Sequence, residues 1–209
     1  MLFSLRVSSA APYNFPHRTR TFTRTHMNIS TAAAAKKISK AQEKAKALRD
    51  SVWPDLDEQM LWNRKSVSGF ATIPRTMTLV MKIIDALTKN KPAGSAYFVM
   101  WCRTFDHSLL VIDNPMTLAV EAGFSGERAL STWKDRMRSL VELGFIDAKE
   151  GPSGPYHYVL LFNPHKVVWG LKGRIQESTF RQLQTRAIEI GAKDMQPAKA
   201  SEPASAAEA

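Results

Sequence analysis

One cysteine, Cys102, in 209 residues leaves no internal disulfide possible, and a reducing compartment is the natural home for such a chain. The C-x-x-C and H-x-x-x-H spacings that hold zinc are missing. No apolar run approaches the 18 or so residues of a spanning helix, so no membrane segment is expected. Phosphate loops, nucleophile elbows and metal clusters are also lacking. Acids are scarce at one end: Glu43 stands alone among the first 49 residues, against ten Lys and Arg, a net of +9. The remaining 160 residues hold nineteen cations and eighteen acids, a net of +1. The overall charge of +10 is thus a property of the N-terminal stretch. Any basic patch on the folded part must come from local arrangement.

What is present is an ordinary globular composition, 44% hydrophobic and 23% charged, enough for one domain with a core plus tails. Residues 1–26 carry four arginines, several Ser and Thr and no acid, which taken alone resembles a mitochondrial presequence. Met27 followed by Asn28, Ile29 and Ser30 would make a normal start, and an upstream extension or misplaced start codon is the preferred reading. Residues 31–49, rich in Ala and Lys, are expected to be helical. They read either as a solvated, frayed helix or as a basic arm adding phosphate contacts; together residues 1–49 form a mostly disordered arm. Trp53, Leu56, Met60, Leu61 and Trp62 suggest a short docked helix opening at Pro54-Asp55. A helix is predicted over 73–87 with Pro74 in its first turn, and a buried helix over 95–105 capped by Ser95. The apolar run 109–112 can pair as a short strand.

The most informative stretch is 114–163. Its pattern is a short helix at 115–122, a turn at Gly123, and a second helix beginning near Ser125, which could cap it, and ending at Gly144. A strand, the loop Gly151-Pro152-Ser153-Gly154-Pro155 and a second strand follow. Leu130, Trp133, Met137, Leu140 and Val141 lie on one side of the second helix, the width of a buried face. The opposite arc carries Ser125, Arg128, Thr132, Asp135 and Ser139, with Ser131 toward it and Arg136 and Arg138 on the flanks. Arg128 can bond guanine bidentately in a major groove, Ser131 and Thr132 can reach bases or phosphates, and Arg136 can clamp backbone. Asp135 accepts from a cytosine amine or pairs with a neighbouring arginine. Lys149 and Ser153 are placed for phosphate or minor-groove contact. His157 reads as a half-buried strand residue.

The runs Leu118–Ser125 and Arg138–Ile146, with the Gly-containing loop and then Leu160-Leu161-Phe162-Asn163-Pro164-His165, resemble the winged helix-turn-helix domains of bacterial transcription regulators and of plasmid and phage replication proteins. The resemblance implies a mainly α fold with a small β-hairpin, the helix-turn-helix at 114–143 and the wing at 145–162 of a domain over 50–170. A C-terminal helix over 171–192 and a disordered tail over 193–209 follow. It also implies sequence-specific binding of double-stranded DNA, a bacterial cytoplasmic setting near nucleoid or plasmid, and a possible homodimer. No cofactor, metal, membrane or small-molecule ligand is inferred. One departure from the pattern is Ala129 where a branched apolar residue is usual, which leaves the outward register open by one residue. Two other classes stay open: a protein-interaction module on the same fold, and an enzyme using Asp106, His107 and Asp113, which lack any accompanying catalytic motif.

Overall fold

The computed structural model describes residues 40, 42–66 and 68–195. The leader-like residues 1–26, most of the Ala/Lys-rich arm and the tail from 196 lie outside the described residues. The chain divides into two compact units between Trp62 and Asn63. In the first, residues 42–52 are helical and almost wholly exposed. Lys46 and Arg49 meet Asp50 and Glu58, and those cations hold both carboxyls below their usual range. Pro54-Asp55 lies in a turn after the helix rather than starting one, because proline cannot donate the hydrogen bond that continuation needs. Only a 3-10 turn, Glu58–Met60, capped by the Asp57 carboxylate, follows.

The second unit is mainly helical with one small antiparallel sheet. Its described elements are α1 (Met77–Thr88), α2 (Gly94–Arg103), β1 (Leu109–Val111), α3 (Pro115–Glu121), α4 (Ala129–Glu142), β2 (Ile146–Gly151), β3 (Gly154–Leu161), α5 (Pro164–Gly170) and α6 (Glu177–Glu189). Helix α1 starts four residues later than its apolar period suggests. Pro74 sits ahead of it and accepts from the Met77 amide, and the Thr76 hydroxyl is diverted from capping to the ring of His165. Ser95 does not cap α2. The first turn is held instead by Asp85, whose carboxylate accepts from the Gly94 amide at 2.7 Å. A methyl group at position 94 would lie 3.0 Å from Met81 and Asp85, so glycine sets how closely α1 and α2 approach.

The three strands are ordered β1-β3-β2, all antiparallel. Leu109 pairs with Leu160 and Val111 with Tyr158 on one side of β3, and Ile146 pairs with Leu161 on the other. The period of two sends His157, Val159 and Leu161 into the core and Tyr158 and Leu160 outward. A single core joins the helices to the sheet through Tyr97, Met100, Trp133, Met137, Leu140, Phe145 and Ile146, all buried. Tyr97 and Phe145 meet edge to face at 5.3 Å, and Trp133 meets Tyr156 at 5.8 Å.

The C-terminal region departs most from the sequence expectation. The predicted helix over 171–192 is a 3-10 turn (Lys172–Arg174) and a shorter helix, α6, and an unexpected helix, α5, precedes them. Asn163-Pro164 does end the strand, but it also starts α5. The Asn163 side chain accepts from the amides of His165 and Lys166, and proline at the first helical position gives up no needed donor. Residues 193–195 are not a loose tail. Met195 is buried, and Asp194 accepts from both Asn163 Nδ2 and His165 Nδ1.

Candidate nucleic-acid interface

Helices α3 and α4 pack together and are joined by a turn from Ala122 to Arg128. Asn114 caps α3 by accepting from the Met116 amide, and Pro115 opens it. The helix closes when Gly123, at φ +88, donates to Val120 O, and Phe124 donates to Ala119 O. Gly144 closes α4 in the same way, at φ +76, with the Gly144 and Phe145 amides returning to Val141 and Leu140. Both positions require a left-handed backbone that glycine adopts without a Cβ penalty. Between helices, Arg103 at the end of α2 forks onto Glu121 at the end of α3, with Nε to Oε2 at 2.7 Å.

The joining turn is longer than expected, and α4 begins at Ala129, not near Ser125. Ser125 is exposed and caps nothing. Arg128, an exposed residue, occupies the cap position with no side-chain cap bond and pairs with no carboxylate among the described residues. The Ser131 hydroxyl, exposed, returns to Arg128 O at 3.0 Å. Thr132 is half-buried, and Ser139 donates to Asp135 O. Asp135 pairs with Arg138 at 3.0 Å, the second of the two roles the sequence left open for it.

The inner face of α4 is Ala129, Trp133, Met137 and Leu140, while Val141 is 38% exposed. Exchanging Val141 for Ala129 rotates the buried arc by roughly 40° at about 100° per residue. That rotation carries Arg136 inward. Its guanidinium lies 5.8 Å from the Phe124 ring, and its Nε is buried with no hydrogen-bond partner among the described residues, so the side chain packs against the turn. The same rotation carries Arg138, left on a flank by the sequence reading, to the outer face beside Arg128, Ser131, Asp135 and Glu142. The missed signal was Ala129, a residue small enough to be overlooked as core.

Lys149, on β2, keeps its side chain 75% exposed and stands 3.6 Å from Asp147. Ser153 does not point outward. Its hydroxyl donates to Ile112 O and lies 2.8 Å from His157 Nδ1, which is itself 3.0 Å from Ile112 O. The Ser153 hydroxyl therefore locks the two-residue turn Pro152-Ser153 onto the end of β1, and His157, expected half-buried, is buried. The site residues thus fall into an outward group, Arg128, Ser131, Asp135 and Lys149, and an engaged or half-buried group, Thr132, Arg136 and Ser153. Ser125 lies on the turn.

Elsewhere, Asp106, His107 and Asp113 are exposed, and no hydrogen bond joins them. A different threonine, histidine and aspartate do line up, with Thr76 Oγ1 at 2.6 Å from His165 Nε2 and His165 Nδ1 at 2.8 Å from Asp194 Oδ1. Thr76 has no exposed surface and His165 only 5%, so this order of groups ties α1 to α5 and the C-terminal residues. An open cleft is lined by Phe70, Ile73, Trp101 and Phe105. Burial and the nearby Glu121 carboxylate raise the Cys102 thiol beside it. Among the described residues no His, Cys, Asp and Glu group is placed to hold a metal ion, and no helix is long and apolar enough to cross a membrane. Comparison with protein families, with curated proteins and with solved structures found no match.

Proposed function

We propose that residues 94–161 form a winged helix-turn-helix and that the chain binds double-stranded DNA sequence-specifically, as a bacterial or mobile-element transcription regulator or plasmid-type replication protein. The observation that carries this is the joint order of elements and strands. The chain runs α2, β1, α3, α4, β2, β3, and β1 returns to lie beside β3 rather than beside β2. That arrangement braces a two-helix unit against a hairpin, and among the described residues the outer arc of α4, with Arg128, Ser131, Arg138 and Glu142, is exposed. Arg128 and Ser131 at the start of α4 are the groups for base edges. Arg138 and Lys149 are the groups for phosphates.

The test is selection from a random duplex library by the full chain, repeated across salt concentrations. Enrichment of a motif supports the reading, and a palindromic motif implies a two-fold dimer. Arg128→Ala should weaken the selected site by about 1–3 kcal/mol while changing random DNA much less. Equal losses on both would refute base reading by Arg128.

A second reading, a protein-interaction module, is favoured by the outer face of the sheet. Leu109, Val111, Tyr158, Leu160 and Phe162 are all 40–51% exposed there. Failure to retain duplex DNA at any salt, with a dimer mass by light scattering, would favour it over the first.

A further inference from the structure

The second unit, residues 63–209, holds nineteen Lys and Arg against fourteen acids, a net of +5, and those charges are not evenly spread. Residues 63–84 contain Arg64, Lys65, Arg75 and Lys82 and no acid. Residues 151–176 contain Lys166, Lys172 and Arg174 and no acid. These two acid-free stretches are far apart in sequence and meet in the fold. The hydrogen bond between Thr76 Oγ1 and His165 Nε2, 2.6 Å long, joins them directly. Arg75 is the residue before one partner and Lys166 the residue after the other, and both are exposed.

The neighbouring carboxylates do not cancel this face, because each is already taken. Glu177 pairs with Arg181, Glu189 with Arg186, and Asp194 with His165 and Asn163. Among the described residues, Arg75, Lys166, Lys172 and Arg174 have no carboxylate within ion-pair distance. Lys172 stands over two aromatic rings, Trp169 at 5.7 Å and Phe180 at 5.4 Å. Those contacts hold the ammonium on a rigid support rather than on a loose stem. Exposed cations, unpaired among the described residues and carried on two stretches that themselves hold no acid, form a surface matched to phosphates.

We propose that Arg75, Lys166, Lys172 and Arg174 form a second, sequence-independent contact surface for the phosphate backbone of duplex DNA, separate from α4 and the wing. It rests on the DNA-binding reading above and gives the second unit phosphate contacts beyond those of α4. The surface lies at the Leu161 end of β3, whereas the Pro152-Ser153 turn lies at the other.

The experiment measures binding of the full chain to a 40-bp duplex of random sequence across salt concentrations, for wild type and for the triple variant K166Q/K172Q/R174Q. A second triple variant, R75Q/K166Q/R174Q, leaves the ring-stacked Lys172 in place and guards against a loss of fold. Both variants should show a salt dependence of log Kobs shallower by about 2–3 than wild type, near 0.9 per lost contact, and at least tenfold weaker binding at low salt. Arg-for-Lys replacement at 166 and 172 should keep wild-type behaviour. Wild-type binding with unchanged slopes in both variants overturns this surface while leaving DNA binding by α4 intact. No binding of duplex DNA by wild type overturns both readings. Binding to phosphatidylserine vesicles but not to DNA, lost in both variants, would assign the surface to a membrane and overturn the proposal.

Discussion

Replacing Thr76 by valine removes a single hydroxyl from a fully buried position and nearly preserves volume. The consequence can be worked from the hydrogen-bond directions. Asp194 accepts at His165 Nδ1, so that nitrogen carries the proton in the neutral ring and Nε2 is an acceptor. Thr76 Oγ1 must then donate to Nε2 across 2.6 Å. Valine leaves Nε2 buried with no donor, which costs about 1–3 kcal/mol, the desolvation of an unpaired acceptor. No helix cap is lost, because the Thr76 side chain makes no cap bond to α1. Asp194→Ala acts on the other end of the chain of bonds. Its side chain is 34% exposed, so water can replace part of what is lost, and about 1 kcal/mol is expected. Urea unfolding at pH 7 gives both values from the shift in midpoint at constant slope. The double variant should fall short of the sum, since both changes act on one ring. A pH series adds a sign. Burial pushes the Asp194 carboxyl up, but the hydrogen bonds from Asn163 and His165 bring it net below its ordinary value. A depressed carboxyl contributes stability above its unfolded pKa and loses it as pH falls through the folded one. Wild type should therefore lose this increment in the acid range, and Asp194→Ala should not. Thr76→Val as stable as wild type, or strict additivity in the double variant, would refute the assigned network.

Gly144→Ala should cost about 1–2 kcal/mol, the penalty of a Cβ at positive φ, read as a lower melting temperature; an unchanged temperature would mean the helix ends otherwise in solution. Trp133→Ala removes the largest fully buried side chain and should cost about 3–5 kcal/mol in chemical denaturation. A cost below 1 kcal/mol would place Trp133 outside the core. Asp135→Asn frees Arg138 from its ion pair and removes a negative charge from the outer arc of α4. If that arc faces DNA, binding to random duplex should tighten several-fold at low salt and the gain should shrink as salt rises. Unchanged affinity would place DNA, if bound at all, on another face.

The sequence was most readable where a period and a stop signal agreed. Helix α3 and its ending at Gly123, the end of α4 at Gly144, and the pairing-competent run at 109–111 all combine an apolar pattern with a residue that enforces the boundary. Where a boundary depends on a distant partner, pattern alone misplaced it. The start of α1 moved because Thr76 serves His165, and the start of α2 is set by Asp85 rather than Ser95. The helix Pro164–Gly170 was hidden because Asn163-Pro164 is equally a strand stop and a helix start. At the candidate interface, the sequence placed an amphipathic helix where α4 lies, but its facing was off by a fraction of a turn. A small buried alanine carries little pattern signal, while an exposed valine carries a misleading one. Ser153 failed for a further reason: its hydroxyl answers to Ile112 O and His157 Nδ1, which only the closed hairpin brings near.

These shifts bear on how the two readings of function compete. The outer arc of α4 holds Arg128 free, but Arg138 is tied to Asp135, and Glu142 shares the face. Taken alone that arc carries little net positive charge, and an anionic duplex would gain little long-range attraction from it. Sequence-specific binding at physiological salt draws much of its affinity from phosphate contacts. A chain with this α4 must therefore find those contacts elsewhere or bind DNA weakly. The N-terminal stretch is one source, with its net of +9. The face around Lys166, Lys172 and Arg174 is another, and it belongs to the folded unit itself. The two can be separated by the same salt series applied to residues 50–209. If that fragment unfolds alone, charge-neutralising substitutions within 1–49 of the full chain serve instead. A salt slope that persists without the N-terminal charge assigns the attraction to the folded unit. A slope that vanishes with it leaves α4 as a reader carried to DNA by its arm.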